Sequence, residues 1–424
     1  MDTRKLKLGD CLSMIRNGAQ IKQQEGAGGI PITRIETLSN GLFNRDRMGY
    51  ANIFDTSEYE DYILQENDIL MSHINSRAFL GRSVQYHKIG SESIIHGMNL
   101  LRIKTNPEIL DCNYAFYFFQ SPYFKKCVDS IRTDAVNQSS INISNICSID
   151  INIPSLAIQQ RIASILGAFD RKIDLNRQIN QNLEALVQQL YNYWFVQFDF
   201  PNENGKPYKS HGGQMAYYSQ LKRVIPQGWD VVKLGTLCDF SNGINYDKSV
   251  EGDTQYKIVN VRNISSSKTI IDSMDLDVIC LPSKQADNYL IDSQCILIAR
   301  SGTPGATRII ENVSNCIYCG FIIKCTPHTA AHRLYLTFLL KQYEGTSLTQ
   351  TGGSILKNVS QETLKAIWVC VPPKDLISNF NQIVLPLIEE IHKNMVQSNT
   401  LIKQRNDLLP LLMNGQVNSD LSAC

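Results

Sequence analysis

The side chains with most scope for chemistry in this sequence gather in short polar loops that occur in pairs. Ser72-His-Ile-Asn75-Ser-Arg77, with Gly81-Arg82 behind it, has a counterpart in Arg300-Ser301-Gly-Thr303-Pro-Gly305 with Thr307-Arg308. A second pair is Asn137-Gln138-Ser139-Ser140 and Gln350-Thr351-Gly-Gly-Ser354. Arginine can bond guanine through two donors, and asparagine or glutamine can do the same to adenine. Hydroxyls and backbone N–H groups in glycine-bearing turns suit phosphate oxygens. The chemistry on offer is therefore recognition of a DNA duplex. Its candidate contacts are Asn75, Arg77, Arg82, Gln138, Ser139, Arg300, Ser301, Thr303, Arg308, Thr351 and Ser354. A hydrated turn that carries glycine for geometry alone would use the same residue types.

Covalent chemistry finds no such support. There is no phosphate loop, since Gly352-Gly-Ser-Ile-Leu-Lys357 lacks the spacing, and no zinc-protease or nucleophile-elbow motif. The run Gly26-Ala-Gly-Gly29 precedes a strand instead of following one, which is wrong for a dinucleotide site. Val371-Pro-Pro-Lys374 has the prolines of an amino-group DNA methyltransferase loop. It lacks the polar residue that would hold the amine and the aromatic that would stack on the base. Cys316, Cys319, Cys325 and His328 have a spacing that zinc could use, but the residues between them are apolar and β-branched, so a buried strand is the preferred reading. No catalytic residue, metal or cofactor is expected in the chain itself.

Composition places these loops on a folded scaffold. The 424 residues are 43% hydrophobic and 19% charged, with a mean hydropathy of −0.18, which excludes wholesale disorder and calls for two or three domains. No apolar run approaches the ~18 residues of a membrane helix, and no apolar stretch follows the basic Met1-Asp-Thr-Arg-Lys-Leu-Lys7 to make a signal peptide. Most of the twelve cysteines sit singly in apolar runs, as buried thiols of a reducing compartment do. A soluble, cytoplasmic chain is expected. Lys and Arg number 41 against 40 Asp and Glu, so any basic surface must be local.

The chain also says the same thing twice. Lys7-Leu-Gly9 recurs as Lys233-Leu-Gly235, and Pro31–Leu38 recurs in pattern as Lys257–Ile264. Asp68–His73 is echoed by Cys295–Arg300, each with a glycine behind it, Gly81 and Gly305. Leu100–Lys104 matches Phe321–Cys325. Asn142-Ile-Ser with Ile151-Asn-Ile-Pro154 matches Asn358-Val-Ser with Val369-Cys-Val-Pro372. A period of about 220 residues marks a duplicated domain, not a solenoid. Cys112–Gln120 and His332–Lys341 read as equivalent helices whose aromatics belong to the core, not to a base-stacking platform.

A long helix follows each repeat. In the first, Ile162, Phe169, Asn176, Leu183 and Leu190 alternate in heptads with Ile165, Lys172, Ile179, Leu186 and Tyr193. In the last, Ile388, Met395, Ile402 and Leu409 alternate with Val384, Ile391, Ser398, Arg405 and Leu412, with Pro386 marking a kink or start and Pro410 an end. Paired antiparallel, these helices set Asn176 opposite Ser398 as a polar layer. A helix of about 40 residues reaches about 60 Å, nearly two turns of B-DNA at ~34–36 Å each.

Leu190-Tyr-Asn-Tyr-Trp-Phe-Val-Gln-Phe-Asp-Phe-Pro201, behind Gln159-Gln-Arg-Ile-Ala-Ser-Ile-Leu-Gly-Ala-Phe-Asp-Arg-Lys-Ile173, closely resembles the central helical region of type I restriction-modification specificity subunits. Ile225-Pro-Gln-Gly-Trp229 running to Gly235 is similar to the opening of that family's target recognition domain, and Thr351–Ser360 running to Val371-Pro-Pro is similar to its close. The first repeat lacks a counterpart of Pro226-Gln-Gly-Trp229 and starts almost at Lys7-Leu-Gly9.

The resemblance implies an α+β protein in which two repeated α/β recognition domains are separated by an antiparallel coiled-coil spacer with pseudo-twofold symmetry. The expected boundaries are a first recognition domain over 1–154, the central helix over 155–198, a linker over 199–224, a second recognition domain over 225–372 and the last helix over 373–424. The spacer seam would comprise Ile162, Ile165, Phe169, Asn176, Ile179, Leu183, Leu186 and Leu190, facing Ile388, Ile391, Met395, Ile402 and Leu409. Each recognition domain would read one half of an asymmetric, bipartite target on double-stranded DNA. The helices would set the gap and dock two methylation subunits that bind S-adenosylmethionine, while separate restriction (translocase) subunits use ATP and magnesium. No membrane partner is implied. A non-catalytic protein scaffold, or a DNA-modifying enzyme with an unfamiliar motif, is the alternative.

Overall fold

The structure, a computed structural model, describes residues 3–22, 28–39, 41–50, 52–136, 138–246, 252–345, 350–351, 354–355 and 359–416. The chain divides into two compact units, Met1–Lys172 with Leu401–Cys424, and Ile173–Thr400. Each unit thus holds part of both long helices.

The first unit is built on an antiparallel sheet in the order Leu12–Asn17, Leu100–Thr105, Ile69–Ser72 and Ser83–Gln85. The strand Ile69-Leu-Met-Ser72 is buried at every position, so both faces of the sheet are covered there. One face packs on the helices Cys112–Gln120 and Pro122–Ile131 through Tyr114, Phe118, Phe119 and Phe124. Sequence sets both helix starts. The Asp111 carboxylate accepts from the N–H groups of Asn113 and Tyr114, and Ser121 accepts from Phe124 N–H one residue before Pro122. A two-stranded ladder, Arg4–Lys7 with Asp150–Ile153, closes the unit. Inside it the Asp68 carboxylate lies 2.7 Å from the Arg102 guanidinium, both almost fully buried.

The second unit repeats this plan. Its sheet runs Cys238–Asn242, Ile322–Pro327, Ile296–Ala299 and Thr307–Arg308, again antiparallel throughout, and Asp230–Lys233 pairs with Trp368–Val371 as the closing ladder. His332–Lys341 covers the sheet with Leu334, Tyr335, Leu336 and Phe338. Ile258 pairs parallel with Ile317, as Ile32 does with Ile95 in the first unit. The match of Leu100–Lys104 with Phe321–Cys325 moves by one residue: Leu101 and Ile323 hold the same place, opposite Met71 and Ile298. Cys316–Tyr318 and Ile322–Pro327 are strands, with Cys316 and Cys325 fully buried.

The long helices are Leu156–Tyr191, followed by a π-helical turn over Asn192–Val196, and Lys374–Met413. They pack on each other antiparallel within each unit. In the first unit Ile162, Ala163 and Leu166 share a core with Leu409 and Leu412, and Arg405 pairs with Asp170, which also accepts from the Tyr117 hydroxyl at 2.5 Å. In the second, Asn176 and Ser398 do face one another: Asn176 Nδ2 donates to Ser398 Oγ at 3.3 Å and to Gln397 Oε1 at 2.8 Å. Asn180 Nδ2 donates to the Ile391 carbonyl and its side-chain oxygen accepts from Asn394, which extends the layer by a further turn.

Two expectations need correction. Leu186 is 49% exposed and Tyr193 37%, while Val187 and Trp194, each one residue further on, are buried in their place. A straight helix drifts by ~20° per heptad against a strict seven-residue repeat, so by the fourth heptad the inward face has moved on by one residue. Pro386 neither starts nor ends a helix, because Lys374–Met413 runs through it. Pro386 lies on the exposed side, where water can take the Gln382 carbonyl it leaves unpaired, and buried Val384 and Ile388 hold the helix on either side. Pro410 likewise lies inside the last turn.

Candidate nucleic-acid interface

In the first unit the Ser72–Arg82 segment is a closed loop at the end of a buried strand. Ser72 N–H donates to the Arg82 carbonyl at 2.9 Å and Gly81 N–H to the Ser72 carbonyl at 2.8 Å. Gly81 has φ +74°, and a Cβ there would lie 3.0 Å from a Val128 methyl, so glycine is required on both counts. Within the loop, Ile74–Asn75 joins Ser139–Ser140 and Thr133–Asp134 in a three-stranded sheet. The two polar segments picked out in this repeat are thereby brought together.

The side chains divide by role. Asn75 Nδ2 donates to Ser72 Oγ at 3.1 Å, and Ser139 is buried with its hydroxyl donating to Asp134 at 2.6 Å. These two shape the loop. Gln138 is exposed at the hairpin tip beside the fully exposed Val136. Arg82 stacks over the Phe79 ring at 4.4 Å, and burial lowers its pKa. Arg77 is exposed, with Nε 3.6 Å from Asp129. Beside it Arg132 bridges Asp129 at 2.7 Å and Asp134 at 2.9 Å. Hydrogen bonds from Arg132 and Ser139 hold the Asp134 carboxyl below its ordinary range. Asp129, Arg132 and Asp134 lie outside the polar loops picked out from the sequence, where only the Asp129-x-x-Arg132 spacing marks them.

In the second unit Arg300–Gly305 forms the equivalent loop, with Gly302 and Gly305 at φ +76° and +83°. Arg300 N–H donates to the Phe321 carbonyl at 2.8 Å and its Nη1 to the Gly320 carbonyl at 3.2 Å, which leaves the Phe321 ring exposed beside it. Ser301 is half-buried, and its carbonyl accepts from Thr303 N–H at 2.9 Å. The exposed Thr303 hydroxyl meets that of Ser265 at 2.9 Å. Thr351 and Ser354 pair across a hairpin of Gln350–Thr351 with Ser354–Ile355; Gly352 and Gly353, like Asn137 of the first repeat, lie outside the described residues.

Arg308 does not fit a base-reading role. It is buried, with Nη1 2.6 Å from Glu344 Oε1 and Nε donating to the Ser267 carbonyl at 2.6 Å. Glu344 also accepts from Thr307 N–H at 2.7 Å. Arg308 is an interior pin for the edge strand.

Cys295 and Cys316 behave as buried hydrophobes, and burial pushes their thiols up to about 12. Among the described residues no cluster of His, Cys, Asp or Glu has the geometry of a metal site, and no helix is long and apolar enough to cross a membrane.

Comparison with known proteins agrees with this arrangement. The family model described as the type I restriction modification DNA specificity domain matches twice, over residues 2–185 and 226–401. A Methanocaldococcus jannaschii protein given the name MjaX specificity subunit of a type I restriction enzyme is 28% identical, the match covering 98% of this chain and 93% of that one. The HindI specificity subunit of Haemophilus influenzae is 23% identical over 87% of this chain and 90% of its own. Among solved structures, the type I restriction-modification S subunit from M. genitalium shares the fold with a TM-score of 0.50 at 14% identity, covering 97% of this chain and 96% of that one. The doubled sheet, the paired polar loops and the doubled family match have one reading: this chain belongs to the family of type I restriction-modification DNA specificity subunits.

Proposed function

We propose that each repeat reads one half of a bipartite, asymmetric sequence on double-stranded DNA. The paired long helices set the gap between the halves and carry two methylation subunits. The carrying observation is that two sheets of equivalent strand order carry loops of different chemistry: Arg77 and Gln138 in one repeat, Arg300, Ser301 and Thr303 in the other. Equal scaffolds with unequal reading residues suit two different half-sites. The chain contributes recognition; its partners contribute adenine methylation with S-adenosylmethionine and, in restriction subunits, ATP- and magnesium-dependent translocation and cleavage.

With a net charge of +1, the chain supplies little of the phosphate attraction that dominates affinity for DNA. Tight binding is therefore a property of the assembled complex. The test is to co-express the chain with its methylation subunit in a host without adenine methylation and to map modified adenines by single-molecule sequencing. A two-part motif with a fixed gap, present only when this chain is intact, is expected. A motif that persists without the chain would move specificity to the partner and leave this protein a scaffold.

A further inference from the structure

We infer that Asp129 is a specificity-determining residue of the first repeat that acts through Arg77, holding its guanidinium in an internal ion pair that only a cognate half-site displaces. This rests on the DNA-reading function proposed above. Four charges meet at one edge of the loop: Arg77, Asp129, Arg132 and Asp134. Their sum is zero, so at a distance this corner does not attract a phosphate backbone.

The two arginines are held very differently. Arg132 is 14% exposed and fixed by both carboxylates, at 2.7 Å and 2.9 Å. Arg77 is 67% exposed, and its single contact with Asp129 is 3.6 Å long. An exposed pair of that geometry contributes little to stability and exchanges readily. Asp129 thus has two partners, of which only one can leave. When Arg77 swings away, Asp129 keeps its bond to Arg132, so departure leaves that carboxylate paired and the corner with a net charge of −1.

A non-cognate duplex offers Arg77 a phosphate in exchange for a carboxylate, one anion for another. A cognate half-site offers two acceptors in one plane, as guanine does, and that difference decides the exchange. Asp129, 40% exposed, meanwhile repels any backbone that approaches without engaging Arg77. Ser139, bonded to Asp134 and paired through its backbone with Asn75, ties the acid pair to the loop being read.

The test uses the assembled methylation complex and two duplexes, one carrying the mapped target and one with its first half scrambled, titrated at several salt concentrations. Asp129→Asn is expected to tighten binding of the scrambled duplex by about threefold to tenfold at low salt and to steepen its log–log salt slope by about 0.9, one phosphate's worth. Discrimination falls accordingly, and Asp129→Glu restores it. In an Arg77→Ala background, the effect of Asp129→Asn on discrimination disappears. Unchanged slope and discrimination in Asp129→Asn, with Arg77→Ala still weakening the cognate duplex, would overturn the inference and leave the DNA-reading function standing. Equal binding of both duplexes by the wild-type complex would overturn both.

Discussion

Arg82 and Arg308 follow the two loops but do not hold matching places: Arg308 pairs with Leu297 where Val84 pairs with Leu70, and Arg82 corresponds to Ala306. One arginine stacks on the exposed Phe79 ring and the other is an interior pin. Glu344, 36 residues further along, is what pins Arg308, and it arrives there only through the fold. No local pattern announces such a partner, which is why loop chemistry alone did not sort readers from braces. Arg308→Ala is expected to destabilise the second unit by about 1–3 kcal/mol, through its lost bonds to the Ser267 carbonyl and Glu344, while the half-site read by the first repeat stays the same. Chemical denaturation and methylation mapping of the variant check the two halves of that statement. The Arg102–Asp68 pair is buried more deeply still, and Asp68→Asn is expected to cost about 3–5 kcal/mol because it leaves a guanidinium uncompensated in the sheet. At low pH another pair matters. Hydrogen bonds from Arg45 hold the Glu92 carboxyl at about 2 against an ordinary 4.5. A carboxyl depressed in the folded state stabilises above its unfolded pKa, and that contribution is lost as pH falls from about 4.5 toward 2. Glu92→Gln should flatten that part of the acid-stability curve, as followed by circular dichroism.

At the scale of elements, the sequence was most legible where burial constrains it. The strands that match between repeats, such as Ile69–Ser72 with Ile296–Ala299, are buried on both faces, and neither copy can change without opening a cavity. Helix caps were less legible: the sequence pattern matches Asn142-Ile-Ser with Asn358-Val-Ser, whereas the equivalent short helices open at Asn142 and Ser360, each accepting a backbone N–H three residues on. The central helix was legible in extent but not in its last turns. A heptad rule applied across Ile162–Tyr193 chose Leu186, whereas the helix turns Val187 inward. This yields a direct comparison. Val187→Ala should cost about 1–3 kcal/mol as a cavity in the second unit, and Leu186→Ala should change stability by no more than about 0.5 kcal/mol. Equal costs would restore the strict heptad seam. The polar layer is a separate matter, since Asn176 is fully buried and spends its amide on Gln397 and Ser398. Such layers trade stability for a single register, so Asn176→Leu is expected to leave the melting temperature unchanged or raise it while loosening the alignment of the helices.

For the molecule as a whole, duplication is the property on which the proposed function rests. The repeat was visible because an ordered series of short matches is improbable by chance, even where each match is weak. The candidate reading residues were not visible in the same way, because the two repeats keep their sheets while their loops differ in composition. Near-neutral charge belongs to this scale too: the isolated chain should bind a target duplex weakly and the assembled complex tightly, and a tight, salt-insensitive complex of the chain alone would contradict that division. The most direct measurement of the central claim is a methylome of an exchange variant. Residues 225–372 are replaced by the corresponding domain of a specificity subunit with a known, different target, and modified adenines are mapped beside the wild type. One repeat reading one half-site predicts that half of the motif changes to the donor's sequence while the other half and its gap persist. Loss or conversion of both halves together would contradict it.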